Sequence, residues 1–140
     1  MQSKQIDQSH YVIRIARGEK IVETLKDFCL KNKIQGGFFY GVGACDQVEL
    51  AHYDVAKQKY SSKTFAQALE LANITGSIGQ EKDLIIHAHA VFADTAMKPL
   101  AGHLVEATVS GTAEIYLTVL PTLTKKPDAE TGLKLFDLEA

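Results

Sequence analysis

Leu84-Ile-Ile-His-Ala-His-Ala-Val-Phe-Ala93, together with the apolar run that starts at Gly102-His103 and continues to Leu120, is the part of the chain whose reading decides the fold. Ten residues rich in Ile, Val, Phe and Ala, ended by the turn-forming Asp94, read as a β-strand. Side chains alternate across a strand with a period of two, so Ile85, His87, His89 and Val91 share one face. Leu84, Ile86, Ala88, Ala90 and Phe92 share the other. Both faces are largely apolar, which predicts a strand covered on both sides. Residues 94–102 are polar and contain Pro99, as expected of a hairpin loop, and the run from His103 reads as the partner strand. His103 has the parity of Val105, Ala107 and Val109. Whether it meets the His87/His89 face depends on the pairing register, which the sequence leaves open.

Outward from this hairpin, most segments also read as strands. Residues 10–17 alternate, with Tyr11, Ile13 and Ile15 on one parity. Phe38–Val42 and Gln47–Asp54 are expected as two strands, with weaker strands at 58–61 and 68–78. The stretch from His103 to Leu120 is too long to stay straight, and Ser110-Gly111 is the expected bulge or bend. One helix interrupts the pattern: Ile21, Val22, Leu25, Phe28 and Cys29 recur at helical spacing after Gly18-Glu19. Glu19 suits the helix's positive end, and the helix should stop near Lys31-Asn-Lys33, before Gly36-Gly37. After Pro121 the tail reads as loop, with a short extended piece at Leu133–Phe136. No linker or repeat divides the 140 residues, so one domain over 1–140 and an α+β class are expected.

Composition narrows the function classes. A net charge of −2 and a sequence pI of about 6.2 argue against a protein that grips nucleic-acid phosphates by itself. Lys31-Asn-Lys33 and Lys125-Lys126 are too small to form a basic patch. No apolar run reaches the ~18–20 residues that span a bilayer, and the N-terminus is polar, so a cytoplasmic location is expected. Cys29 and Cys45 have neither a disulfide framework nor the close spacing of a structural zinc site; Cys29 is expected to be a buried, inert thiol.

Chemistry is concentrated in the histidines. Three of the five, His87, His89 and His103, fall in a short apolar span. Imidazole is the commonest metal ligand, and three of them would leave one position open on zinc. The plain alternative is three core histidines, each satisfied by a carbonyl, since an unpaired buried polar group costs about 1–3 kcal/mol. His10 is expected to be an exposed residue at a strand start, and His52 a strand residue of unassigned partner. If the metal served catalysis, Glu70 is the first candidate for acid or base, with Glu106 and Glu114 behind it. Arg17 could orient an anion, although surface roles are commoner for all four.

Several segments together resemble the PPC domain, named for plants and prokaryotes conserved: Arg17-Gly18-Glu19, Gly41-Val-Gly43-Ala44, Glu70-Leu-Ala-Asn-Ile-Thr-Gly76-Ser-Ile, His87-Ala-His89, Gly102-His103 and Glu114-Ile-Tyr-Leu-Thr. The resemblance spans essentially the whole chain. It implies a curved, mostly antiparallel sheet with one main helix packed on it, and a homotrimer with any small-molecule pocket at the subunit interface. It also implies Zn2+ held by His87, His89 and His103. Where the family often has Gly-Gly-His, this chain has Ala101-Gly102-His103. Plant members carry an AT-hook, which this chain lacks. Prokaryotic members are described as DNA-binding by that association, and fold analogy alone does not assign function. The expected role is a trimeric, zinc-binding interaction or regulatory module; the alternative is a metal-dependent hydrolase or lyase, and direct DNA binding ranks last.

Overall fold

The computed structural model describes residues 1–139. Strands β1 (Gln2–Gln5) and β2 (His10–Ala16) lead into helix α1 (Ile21–Lys31). The long strands β3 (Gly37–Asp54) and β4 (Lys59–Gln80) follow, then β5 (Leu84–Ala93), β6 (Pro99–Val119) and a small hairpin of β7 (Lys125–Pro127) and β8 (Lys134–Phe136). The main sheet runs β1-β2-β6-β3-β4-β5, and every pairing in it is antiparallel. Because β5 also pairs with the start of β6, strands β6, β3, β4 and β5 close into a ring.

The expected pairs of short strands at 38–54 and 58–78 are instead two continuous, bent strands. Their register shifts lie at Gly41/Gly43 and Cys45/Gln47 of β3 and at Leu71/Asn73 of β4. Gly-x-Gly is here a close approach rather than a turn. A Cβ on Gly41 would lie 2.4 Å from the Glu114 carbonyl oxygen, and one on Gly43 the same distance from that of Thr112. The bend expected at Ser110-Gly111 is found: between Gly43/Cys45 of β3 the partner on β6 jumps from Ala113 to Val109. Strand β1 carries no apolar alternation in its sequence, because its four residues are polar and exposed at a sheet edge.

One face of the curved sheet and the apolar stripe of α1 form the core. Ile21, Leu25, Phe28 and Cys29 meet Ile13, Ile15, Phe39, Phe92 and Ile115 there, with Phe28 edge-on to Tyr11 at 5.3 Å. Burial pushes the Cys29 and Cys45 thiols up to about 12, so both are inert, as expected for Cys29. The helix opens without a side-chain cap at Lys20. The carboxylate of Glu106, from β6, takes the cap's place by accepting from the Val22 and Glu23 amides at 2.8 and 3.1 Å. Glu19 lies ahead of the helix and instead accepts from the Ala16 amide at 2.7 Å. At the other end the chain leaves the helix at Lys33, with φ 57°, before the glycines are reached.

Candidate metal centre

Strand β5 begins and ends at the expected residues, but it is covered on one side only. Leu84, Ala88, Ala90 and Phe92 are buried, whereas His87, His89 and Val91 lie on an open face. The register settles where His103 goes. It sits directly opposite His89, as Gly102 does opposite Ala90, and directly opposed residues of an antiparallel pair share a face. A bulge in β6 takes His103 out of the shared parity with Ala107 and Val109. Glu49 pairs with Glu106 and Leu50 with Leu104, so Val105 is an extra residue that resets the alternation. Leu104 and Ala107 are both buried as a result, and Val105 is exposed.

The three rings form a nearly equilateral group, with centroid separations of 5.3, 5.3 and 5.5 Å. One nitrogen from each lies within 4.8 Å of the others. Zinc–imidazole bonds of about 2.0–2.1 Å in a tetrahedron put donor nitrogens roughly 3.3–3.4 Å apart, a contraction within reach of side-chain rotation. His103 Nδ1 is buried without a hydrogen-bond partner, the sort of orphaned atom that a shared ion would satisfy. Burial holds His87 near a pKa of about 4, helped by the charges of Lys125, His103 and His89; burial likewise lowers His103, helped by His89. Both effects favour neutral imidazole, the form that ligates metal. The donor set could hold a divalent metal ion.

The rings open onto a cleft of about 890 Å³. Tyr60 packs on His103 at 5.0 Å and Tyr53 on Tyr60 at 4.6 Å, so one wall is aromatic. His52 lines the cleft but stands outside the histidine group. The β7–β8 hairpin also lines the cleft, including Lys125, which by sequence is only half of a small basic pair. Nothing in the local pattern distinguished Lys125 from Lys126, because its burial depends on a hairpin packed across the sheet.

The carboxylate candidates do not join this group. Glu70 is exposed on β4 opposite Ala93, five positions from Thr75, the partner of His89. That is roughly 16 Å of extended chain away. Glu106 is committed to the helix N-terminus, and Glu114 is exposed on β6 opposite Arg14. Arg17 is exposed in the turn before the helix, and His10 is exposed and bonded to Asp7 at 2.8 Å. Ala101, at the departure from Gly-Gly-His, lies within β6 opposite Val91 rather than in a loop. No helix among the described residues is long and apolar enough to cross a membrane.

Comparison with known proteins bears on the whole of this architecture. The Plants and Prokaryotes Conserved (PCC) domain matches residues 2–121. A candidate DNA-binding protein of Bacteroides thetaiotaomicron has a similar structure, with a TM-score of 0.95 and 27% identity over 99% of this chain and 98% of its own. A plant- and prokaryote-conserved (PPC) protein of Pyrococcus horikoshii gives a TM-score of 0.85 and 26% identity over 91% of this chain and 90% of its own. A metal-containing protein of Archaeoglobus fulgidus shares the fold, with a TM-score of 0.85 and 22% identity over 91% of each chain. Comparison with curated proteins gives no match.

Proposed function

The chain belongs to the Plants and Prokaryotes Conserved domain family, and from that premise we propose that it is a cytoplasmic, homotrimeric, zinc-binding interaction or regulatory module. His87, His89 and His103 hold the ion. The observation that carries this reading is the convergence of three imidazole nitrogens within 4.8 Å from two adjacent strands. Zinc held by three imidazoles keeps a fourth position for water or another ligand and lowers the pKa of bound water toward ~7. The chain's own part is to present neutral imidazoles, keep them in register across β5 and β6, and leave their face open.

A stripe on the sheet's outer face supports assembly. Phe38, Tyr40 and Val42 of β3 are 45%, 51% and 50% exposed, and Tyr116 of β6 stacks on Tyr40 at 5.3 Å. A contiguous apolar strip of this kind on a sheet suits contact with another copy of the chain, and a three-fold ring forms when it meets a different patch on the neighbour. Elemental analysis and light scattering on one sample test both halves. The expected result is one zinc per chain and a particle three times the 15.3 kDa chain mass. His89→Ala should lose the metal and keep the mass; metal-free wild-type protein or a clean monomer would refute the corresponding half.

The alternative reading is a metal-dependent hydrolase or lyase, favoured by the size of the cleft that the histidines face. Turnover abolished by chelator and by His89→Ala would select it over the module. Direct DNA binding, suggested by the description of the Bacteroides protein, is the weakest reading for a chain of net charge −2. It predicts salt-sensitive retardation of A·T-rich duplex at low ionic strength.

A further inference from the structure

Lys125 is 5% exposed, the one charged residue in the buried set among the described residues. Its neighbours in the C-terminal hairpin have partners: Lys126 pairs with Asp137 at 3.0 Å and Lys134 with Glu81 at 2.7 Å. Among the described residues no carboxylate pairs with Lys125, whose ammonium lies over the Phe136 ring, 4.4 Å from its centroid. Gly79 makes room for this stem, since a Cβ there would lie 3.0 Å from Lys125 Cε. A buried cation is normally paired, because leaving one uncompensated is costly. Here the charge lines the same cleft as the three histidines. Lys125 and Phe136 also lie beyond residues 2–121, the part of the chain that the family's domain accounts for.

We propose that the β7–β8 hairpin makes the histidine cleft a binding site for a small organic carboxylate, with Lys125 pairing its charge and Tyr53, Tyr60, Ile85 and Phe136 enclosing its apolar body. Two positive centres, the ammonium and the ion on the imidazoles, face one aromatic-lined space. An anion between them relieves both, and a charge-assisted hydrogen bond in a partly buried site is stronger than one in water. The second centre rests on the metal reading above, whereas the contribution of Lys125 stands without it.

Benzoate and benzyl alcohol, which share a ring and differ in charge, are the probes. They are titrated calorimetrically into the cobalt-loaded protein, into Lys125→Met, which keeps the stem and removes the charge, and into Lys125→Arg, which keeps a charge. The visible cobalt band before any probe is added reports the metal site by itself and should be the same in all three. Benzoate should bind the wild type at least tenfold more tightly than Lys125→Met, with Lys125→Arg between them. Benzyl alcohol should bind wild type and Lys125→Met alike. Equal benzoate affinity in wild type and Lys125→Met, or no benzoate binding to the wild type, overturns the proposal. Absence of the cobalt band refutes the metal reading alone; the same titrations in EDTA then decide the role of Lys125 by the same tenfold criterion. Matching thermal melts establish that the variants are folded, and Lys125→Gln, which also removes the charge, carries the comparison by the same tenfold criterion should Lys125→Met melt early.

Discussion

Replacing Glu106 by Gln separates a structural carboxylate from a catalytic one. Its oxygens accept from the Val22 amide at 2.8 Å, the Glu23 amide at 3.1 Å and the Ala107 amide at 2.9 Å. Two of these are first-turn amides of a helix whose own cap residue, Lys20, supplies no side-chain acceptor. Glutamine retains one acceptor oxygen but turns an NH2 toward the remaining amide. Val22 and Ala107 share one oxygen, so the amide left over is that of Glu23, an exposed bond whose loss costs about 0.5–1.5 kcal/mol, and losing a negative charge at a helix N-terminus adds roughly 0.3–1 kcal/mol. The expected destabilisation is therefore about 2 kcal/mol, or a fall in Tm of about 5 °C for a chain of this size. Circular-dichroism melts of both proteins at one fixed concentration measure it, since assembly makes Tm concentration-dependent. Zinc content should not change. A Tm within 1 °C of wild type, or unchanged stability combined with metal loss, would refute the reasoning.

Acidification should destabilise the metal-free protein in a defined window. Folding holds His87 near a pKa of about 4, below its unfolded value of about 6.5, so the unfolded chain takes up a proton that the native state refuses. Stability should fall as pH drops from about 6.5 toward 4 and level off below; His103, shifted the same way, adds to the slope. Because His87 is partly exposed, the loss is discounted to about 1–2 kcal/mol. Melts of chelator-treated wild type and His87→Gln between pH 7 and 5 should show the slope reduced in the variant, and a steeper slope there would sink the assignment. Tyr116→Asp places a charge against Tyr40 on the exposed stripe and should shift the particle toward monomer in light scattering, with zinc retained; an unchanged trimer would mean the interface lies elsewhere. Tyr53→Phe removes the hydroxyl that donates to the Thr131 carbonyl at 2.7 Å and should cost about 1 kcal/mol. Faster amide exchange confined to residues 128–133 is the expected signature, and exchange spread through the core would contradict it.

Local pattern made some features of this protein legible. The ends of β5, the apolar stripe of α1 and the bend near Ser110-Gly111 all follow from side-chain period and from glycine's freedom, which act over a few residues. The long strands read as shorter pieces because Gly43-Ala-Cys-Asp46 and residues 62–67 break the apolar alternation when seen alone. The work of Gly41 and Gly43, admitting the β6 backbone, depends on which strand lies alongside. Glu106 shows no local sign of its role, since Val22 in the helix it caps lies 84 residues away from it in sequence.

That His87 and His89 project together was determined by the sequence itself, because a two-residue repeat needs no partner. His103 was decided only by tertiary structure: closure of β6, β3, β4 and β5 into a ring sets it against His89, and the extra residue at Val105 turns it to the same face. Lys125 likewise became a cleft residue only when the C-terminal hairpin packed across Gly79. Register and hairpin docking are set by hydrogen bonding and packing between segments far apart in the chain, and no local periodicity encodes them.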